Sequence, residues 1–199
     1  MNLDLAEVAL PMRLRLEQPM TDEEFLRFCA ANNFLRVERE VNGEILVMTP
    51  ANSRTSRINI QISRFLAEWA EEDGRGVAFD SSGGFTLPDG SMRSPDTAWI
   101  LRSRWNALSD TQQSSFAPIC PDFVIELRSP SDKLLAVRAK MEMWIANGAQ
   151  VAWLIDPERT EISVYRPEEE SPDFFFDPSS IQGTGVIAGF ELIMARIWK

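Results

Sequence analysis

The sequence predicts an α/β fold of the mixed α+β kind, a mixed β-sheet flanked by helices. Apolar residues recur at helical spacing in two segments, 53–72 and 134–147. Short alternating or apolar runs ("RVERE", "EILVM", "DFVIELR", "QVAWLID", "EISVYR") read as strands. The order strand–helix–strand over 122–156 requires a crossover between parallel strands. The 199 residues can bury a sizeable core. With no internal repeat and no linker, the expectation is a single domain, 1–199, with its core at about 21–198.

Each element has a local reason. In "TDEEFLRFCAANN", Thr21 caps a helix and Glu24 completes a capping box. "LRVERE" and "EILVMTP" form a hairpin around Asn42-Gly43, read as a two-residue turn. Ile58, Ile62, Phe65, Leu66 and Trp69 make one face of a helix from Ser53 to Glu72. "GVAFD" and "GGFTLPDG" are short strands around glycines, and "SPDTAWIL" is another strand. "RSRWNALSDTQQSSFAPI" is polar and irregular, with one short helix at most. "DFVIELR" is apolar on both faces and therefore central in its sheet. Ser131 or Asp132 caps the next helix, which buries Leu134, Val137, Met141, Trp144 and Ile145 and stops at Gly148. "QVAWLID" and "EISVYR" close the core as a hairpin, followed by an acidic loop and a short apolar end.

Composition narrows the chemistry. The chain has no histidine, which excludes Ser-His-Asp triads, Cys-His pairs and histidine metal sites. Its two cysteines, Cys29 and Cys120, cannot make a zinc cluster alone and read as buried reduced thiols. Catalysis must run on carboxylates, lysine, arginine, hydroxyls or an oxygen-held metal. The start of the chain lacks a basic region followed by an apolar run, and no stretch approaches the ~20 apolar residues of a membrane span, so a cytoplasmic protein is expected. The formal charge of −10 argues against a nucleic-acid-coated surface, yet Arg54, Arg57 and Arg64 form an acid-free run, and Arg128, Lys133, Arg138 and Lys140 face only Asp132.

Glu126 interrupts the apolar strand "FVIEL", and a buried carboxylate needs compensation. Asp96 lies at another strand. Two carboxylates on neighbouring strands repel unless a cation lies between them, and oxygen-only ligation suits magnesium or manganese. Lys140 sits at the edge of the buried helical stripe, within reach of the same place. From spacing alone, a metal site and a buried ion pair of Glu126 with Arg128 or Lys140 both remain open.

"RVEREVNGEILVMTP", "FDSSGGFTLPDGSMRSPDTAWI", "CPDFVIELRSPSDKLLAVRAKMEMWIANGAQVAWLIDPERTEISVYRP" and "GFELIMARIW" resemble a bacterial restriction endonuclease-like family, abundant in cyanobacteria, of the PD-(D/E)XK nuclease superfamily. The resemblance runs from about Thr21 to Trp198, with "RSPD" and "PDFVIELRSPSD" its most specific pieces. It implies a restriction endonuclease-like core and a Mg2+ (or Mn2+) dependent endonuclease acting on DNA, with a homodimer as the assembly. Asp96 and Glu126 match the two motif acids. The motif lysine position holds Arg128, a departure, and the resemblance implies that Lys140 supplies the lysine from the following helix. Glu38 matches an additional acid, giving Asp96, Glu126 and Glu38 as metal ligands with Lys140 as catalytic partner. Arg128, Lys133, Arg54 and Arg57 are the expected phosphate contacts. The alternative is a non-catalytic nucleic-acid- or protein-binding module that keeps the nuclease fold.

Overall fold

The computed structural model, which describes residues 10–198, has a six-stranded sheet, a five-stranded sheet and a two-stranded one. The expectation that no leader precedes the domain falls on residues outside those described. Among the described residues strand β1 (Met12–Leu14) comes first and helix α1 (Asp22–Ala31) follows. Thr21 accepts from the Glu24 N–H while Glu24 bonds back to the Thr21 N–H, so the capping box forms as predicted. A capping residue of this kind contributes about 1 kcal/mol. Strands β2 (Arg36–Arg39) and β3 (Ile45–Met48) make the expected hairpin. The long helix α2 (Ser53–Asp73) is capped by Asn52 and ends at Gly74, whose φ of 72° is left-handed. Short strands β4 (Gly76–Phe79), β5 (Phe85–Thr86) and β6 (Met92–Arg93) lead to β7 (Thr97–Leu101). Helices α3 (Arg102–Trp105) and α4 (Asp110–Gln113) precede β8 (Phe123–Leu127), α5 (Leu134–Ala146) and β9 (Val151–Asp156). Strands β10 (Glu161–Tyr165), β11 (Asp173–Phe176), β12 (Ile181–Gln182) and β13 (Glu191–Leu192) complete the chain.

The six-stranded sheet has the order β11-β10-β9-β8-β7-β4. All its pairings are antiparallel except β8 with β9, the crossover made by α5. Strand β8 is central, as its two apolar faces predict. Its Phe123, Ile125 and Leu127 pack with Ile58, Ile62 and Leu66 of α2, while Val124 packs with Met141 and Trp144 of α5. The terminal "GFELIMARIW" is also core: Phe190, Leu192, Met194 and Ile197 are buried on the α2 side. The five-stranded sheet, β1-β3-β2-β6-β5, packs Val37, Ile45, Val47 and Met92 against Phe25 and Phe28 of α1. Among the described residues, no helix is long and apolar enough to cross a membrane.

Local expectations change in four places. The register Arg39↔Ile45 continues through a bond between the Glu40 N–H and the Glu44 carbonyl, leaving residues 41–43 as a three-residue loop rather than a two-residue turn. Gly43 takes the left-handed position at φ 82°, and Asn42 accepts the Glu44 N–H. Helix α5 has Lys133 at its N-cap, with no side-chain cap, because Asp132 instead accepts the Ser129 N–H and closes the loop after β8. The polar segment after β7 holds two short helices, α4 with its own Ser109–Gln112 capping box. The acidic tail contributes β11, which extends the sheet at the β10 edge.

Candidate active site

The register of β7 with β8 pairs Thr97 with Ile125, so Asp96, one residue before β7, stands opposite Glu126. Side chains alternate along β8, which puts Glu126 on the α5 face. Asp96 Oδ2 accepts the Leu127 N–H at 2.9 Å, fixing the carboxylate at the end of the ladder, and its Oδ1 accepts from Arg36 at 3.1 Å. Glu126 is 5% exposed. Its Oε1 accepts from the Trp144 indole at 2.8 Å and lies 2.9 Å from Lys140 Nζ. Its Oε2 has no hydrogen bond to any described residue.

The second sheet supplies the other wall. Alternation on β2 turns Val37 into the core and sends Arg36 and Glu38 toward Asp96 and Lys140. Glu38 is 1% exposed, and three donors fill its oxygens. Oε1 accepts the Ser94 N–H at 3.2 Å and Lys140 Nζ at 3.0 Å, and Oε2 accepts from Arg93 at 3.1 Å. Arg93 also pairs with Glu40. Lys140 therefore bridges Glu38 of one sheet and Glu126 of the other.

This arrangement divides the charges unequally. Burial raises the Glu126 pKa; Lys140 opposes this, but Asp96 and Glu38 add to it, and the group is pushed up to about 7. Burial would also raise Glu38, but Lys140 and Arg93, with bonds from Lys140 and the Ser94 N–H, outweigh it and hold that carboxyl below its ordinary value. Burial would lower Lys140, but Glu126 and then Glu38 hold it above the ordinary lysine range. Of the two carboxylates on Lys140, Glu126 is thus the one whose charge is less compensated.

The residues fit a hard divalent ion. Asp96 and Glu126 are oxygen donors side by side on paired strands, and Glu126 has an unengaged oxygen in a site that also holds the Glu38 carboxylate. Among the described residues, no group of three or more acids, cysteines or histidines is placed to cage a metal. Magnesium does not need one, since it commonly takes one or two carboxylates and completes its shell with water and substrate phosphate.

Asp96, Glu126, Lys140 and Glu38 are brought together. Arg128 is not in that group: it bonds Asp156 at 2.8 Å, with Glu158 at 3.3 Å and the Asp132 carbonyl as further partners. Lys133, Arg54 and Arg57 are exposed at the starts of α5 and α2. Ser63 of α2 bonds Thr97, next to Asp96, while the chain just past α2 reaches the other end of β7, where the Arg102 N–H donates to the Arg75 carbonyl. The first turns of α2, with Arg54 and Arg57, therefore extend past the Asp96 end of the sheet. Sequence reasoning missed Arg36, Arg93 and Trp144 as site residues. Two signals were available: Arg36 shares the period-2 face of Glu38, and Trp144 follows Lys140 by one helical turn.

An antiparallel β7–β8 pair carrying opposed acids, a crossover helix returning a lysine to them, and a mixed sheet between helices make up the fold and its candidate site. A crystal structure of a "putative nuclease" from Anabaena variabilis superposes with a TM-score of 0.73 at 23% identity, covering 90% of this chain and 98% of that one. At that identity the likeness shows a shared fold. Residues 22–195 match the Uma2 family, described as "Putative restriction endonuclease", and the chain belongs to that family. No curated protein matches it.

Proposed function

We propose that the protein is a divalent-metal-dependent endonuclease that hydrolyses phosphodiester bonds of DNA. The observation that supports it most directly is the convergence of Asp96, just before β7, Glu126 of β8 and Lys140 of α5. Family membership supports the nuclease class. A structural ion pair would need one acid for one base. Here Lys140 of α5 is shared by Glu38 and Glu126 from two sheets, with Asp96 and Arg36 beside them, and Glu126 keeps a spare oxygen.

Asp96 and Glu126 would hold magnesium or manganese. Bound there, the ion would stabilise charge on the scissile phosphate and make a bound water more acidic. Trp144 and Lys140 orient the Glu126 carboxylate from its Oε1 side, leaving Oε2 free to ligate. Lys140 is held protonated by two carboxylates, so its proposed role is to balance charge on the phosphate rather than to accept a proton. Glu38, its oxygens filled, positions Lys140 and Arg93. The site draws on both sheets, which supports reading the chain as one working domain. Cutting both strands of a duplex takes two such sites, so a homodimer is the expected assembly, and sedimentation equilibrium would show it.

The binding-module alternative draws support from Asp96, both of whose oxygens are already taken. A cleavage assay on plasmid and single-stranded DNA with magnesium, manganese or EDTA separates the two readings. We expect nicking or linearisation with either ion, none with EDTA, and none from Glu126→Gln. Metal-independent DNA binding without cleavage would establish the alternative.

A further inference from the structure

We infer that Arg36 is the ion's competitor for Asp96: its guanidinium holds Asp96 in the ion-free protein, releases it when a divalent ion binds, and then faces the scissile phosphate. The inference rests on the metal-site reading above and goes beyond it by naming a residue outside the motif and a switching role.

Four observations carry it. Asp96 Oδ2 is committed to the Leu127 N–H, so Oδ1 is the oxygen with capacity left for a cation, and Arg36 is the cation on it at 3.1 Å. Arg36 is held incompletely: one amino group bonds Asp96, the other the Ser94 carbonyl at 3.2 Å, and its buried Nε has no acceptor. A guanidinium carries five donors, and an unmet buried one lowers the cost of leaving. Arg36 also has a way out, since its side chain is 32% exposed. Arg93, its counterpart on β6, also has a buried Nε without an acceptor, but it is only 10% exposed and paired with both Glu38 and Glu40, so exposure and carboxylate pairing set the two apart. Arg93 therefore reads as the fixed cation of the cluster and Arg36 as the mobile one. A dication and a guanidinium on one carboxylate oxygen repel strongly in a partly buried site, so occupancy by one excludes the other. Arginine is suited to the second half of its task, because its planar fork matches phosphate oxygens.

The test compares manganese binding by calorimetry to the wild type, Arg36→Met and Asp96→Asn. We expect Arg36→Met to bind manganese about tenfold more tightly than the wild type. Asp96→Asn should bind poorly. In calcium, Arg36→Met should bind duplex DNA more weakly despite its stronger ion site. Equal or weaker manganese binding by a folded Arg36→Met, beside clear binding by the wild type, would overturn the inference and leave the metal site standing. Absence of binding in both proteins would remove the metal-site reading itself. A second measurement needs no variant: in wild-type protein labelled with nitrogen-15 arginine, magnesium should shift the Arg36 Nε–H resonance and speed its exchange. A resonance unmoved at saturating magnesium would overturn the switch.

Discussion

Glu126 is held in a place that disfavours its charge, and this has a consequence for stability. Its folded pKa is pushed up to about 7, well above the ordinary glutamate value. Between those values the folded protein holds a proton that the unfolded chain has lost. The group therefore stabilises the fold at low pH, and that stability is lost as pH rises from the unfolded value through about 7. Glutamine mimics the protonated acid and keeps an acceptor for Trp144. Glu126→Gln is predicted to melt higher than the wild type at pH 8, with the gap closing toward pH 5. A wild type that melts higher than the variant at pH 8 would contradict this. Lys140 has the opposite character. Its removal leaves Glu38 and Glu126 buried with less compensation, so Lys140→Met is predicted to lose cleavage and also about 3 kcal/mol of stability. Denaturant unfolding beside a plasmid assay measures both. Full cleavage by the variant would move the catalytic role to another cation.

At the scale of elements, helices and the crossover were legible because their signals are local and redundant. α1 announces itself by Thr21 and Glu24, α2 by its apolar stripe, and the β8–α5–β9 unit by apolar runs on either side of an amphipathic segment. Strand β11 was hidden because "DFFF" lies in an acidic loop and its four residues are all exposed, so no alternation marks it. The hairpin loop was misjudged by one residue because Asn-Gly favours a two-residue turn, whereas Gly43 here serves as the left-handed residue of a longer loop. The acids and Lys140 were legible through motif and strand pattern. Their cationic partners Arg36 and Arg93 come from the other sheet, and sequence spacing does not show which sheets meet. Arg128 illustrates the same limit. Its place after Glu126 suggested the site, but parallel pairing aligns the end of β8 with the end of β9, and Asp156 takes it there. Arg128→Ala is predicted to cost about 3 kcal/mol by leaving the buried Asp156 unpaired, while manganese affinity stays unchanged. A loss of manganese affinity without loss of stability would return Arg128 to the site.

The whole molecule carries a net charge of −10, so its long-range field opposes DNA. Under the proposed function attraction to DNA would have to be local, and exposed cations lie at the end of the six-stranded sheet that carries Asp96. Arg54 and Arg57 lie on the first turns of α2, about 9 to 14 Å of helix rise before Ser63. Lys133 opens α5 two helical turns before Lys140. These exposed cations flank the acids at one end of the sheet, and none of them forms an ion pair with a described residue. The acids themselves repel phosphate until a divalent ion neutralises them. Duplex binding is therefore predicted to tighten markedly when calcium replaces EDTA, calcium being chosen to hold DNA without cutting it. Arg54→Ala and Arg57→Ala should each weaken binding similarly across DNA sequences and lower the salt slope by roughly one unit. Fluorescence anisotropy over a salt series reads both effects. Equal affinity in calcium and EDTA would point to the binding-module reading. Binding in neither, even at low salt, would exclude DNA as the partner and leave a protein partner to be sought.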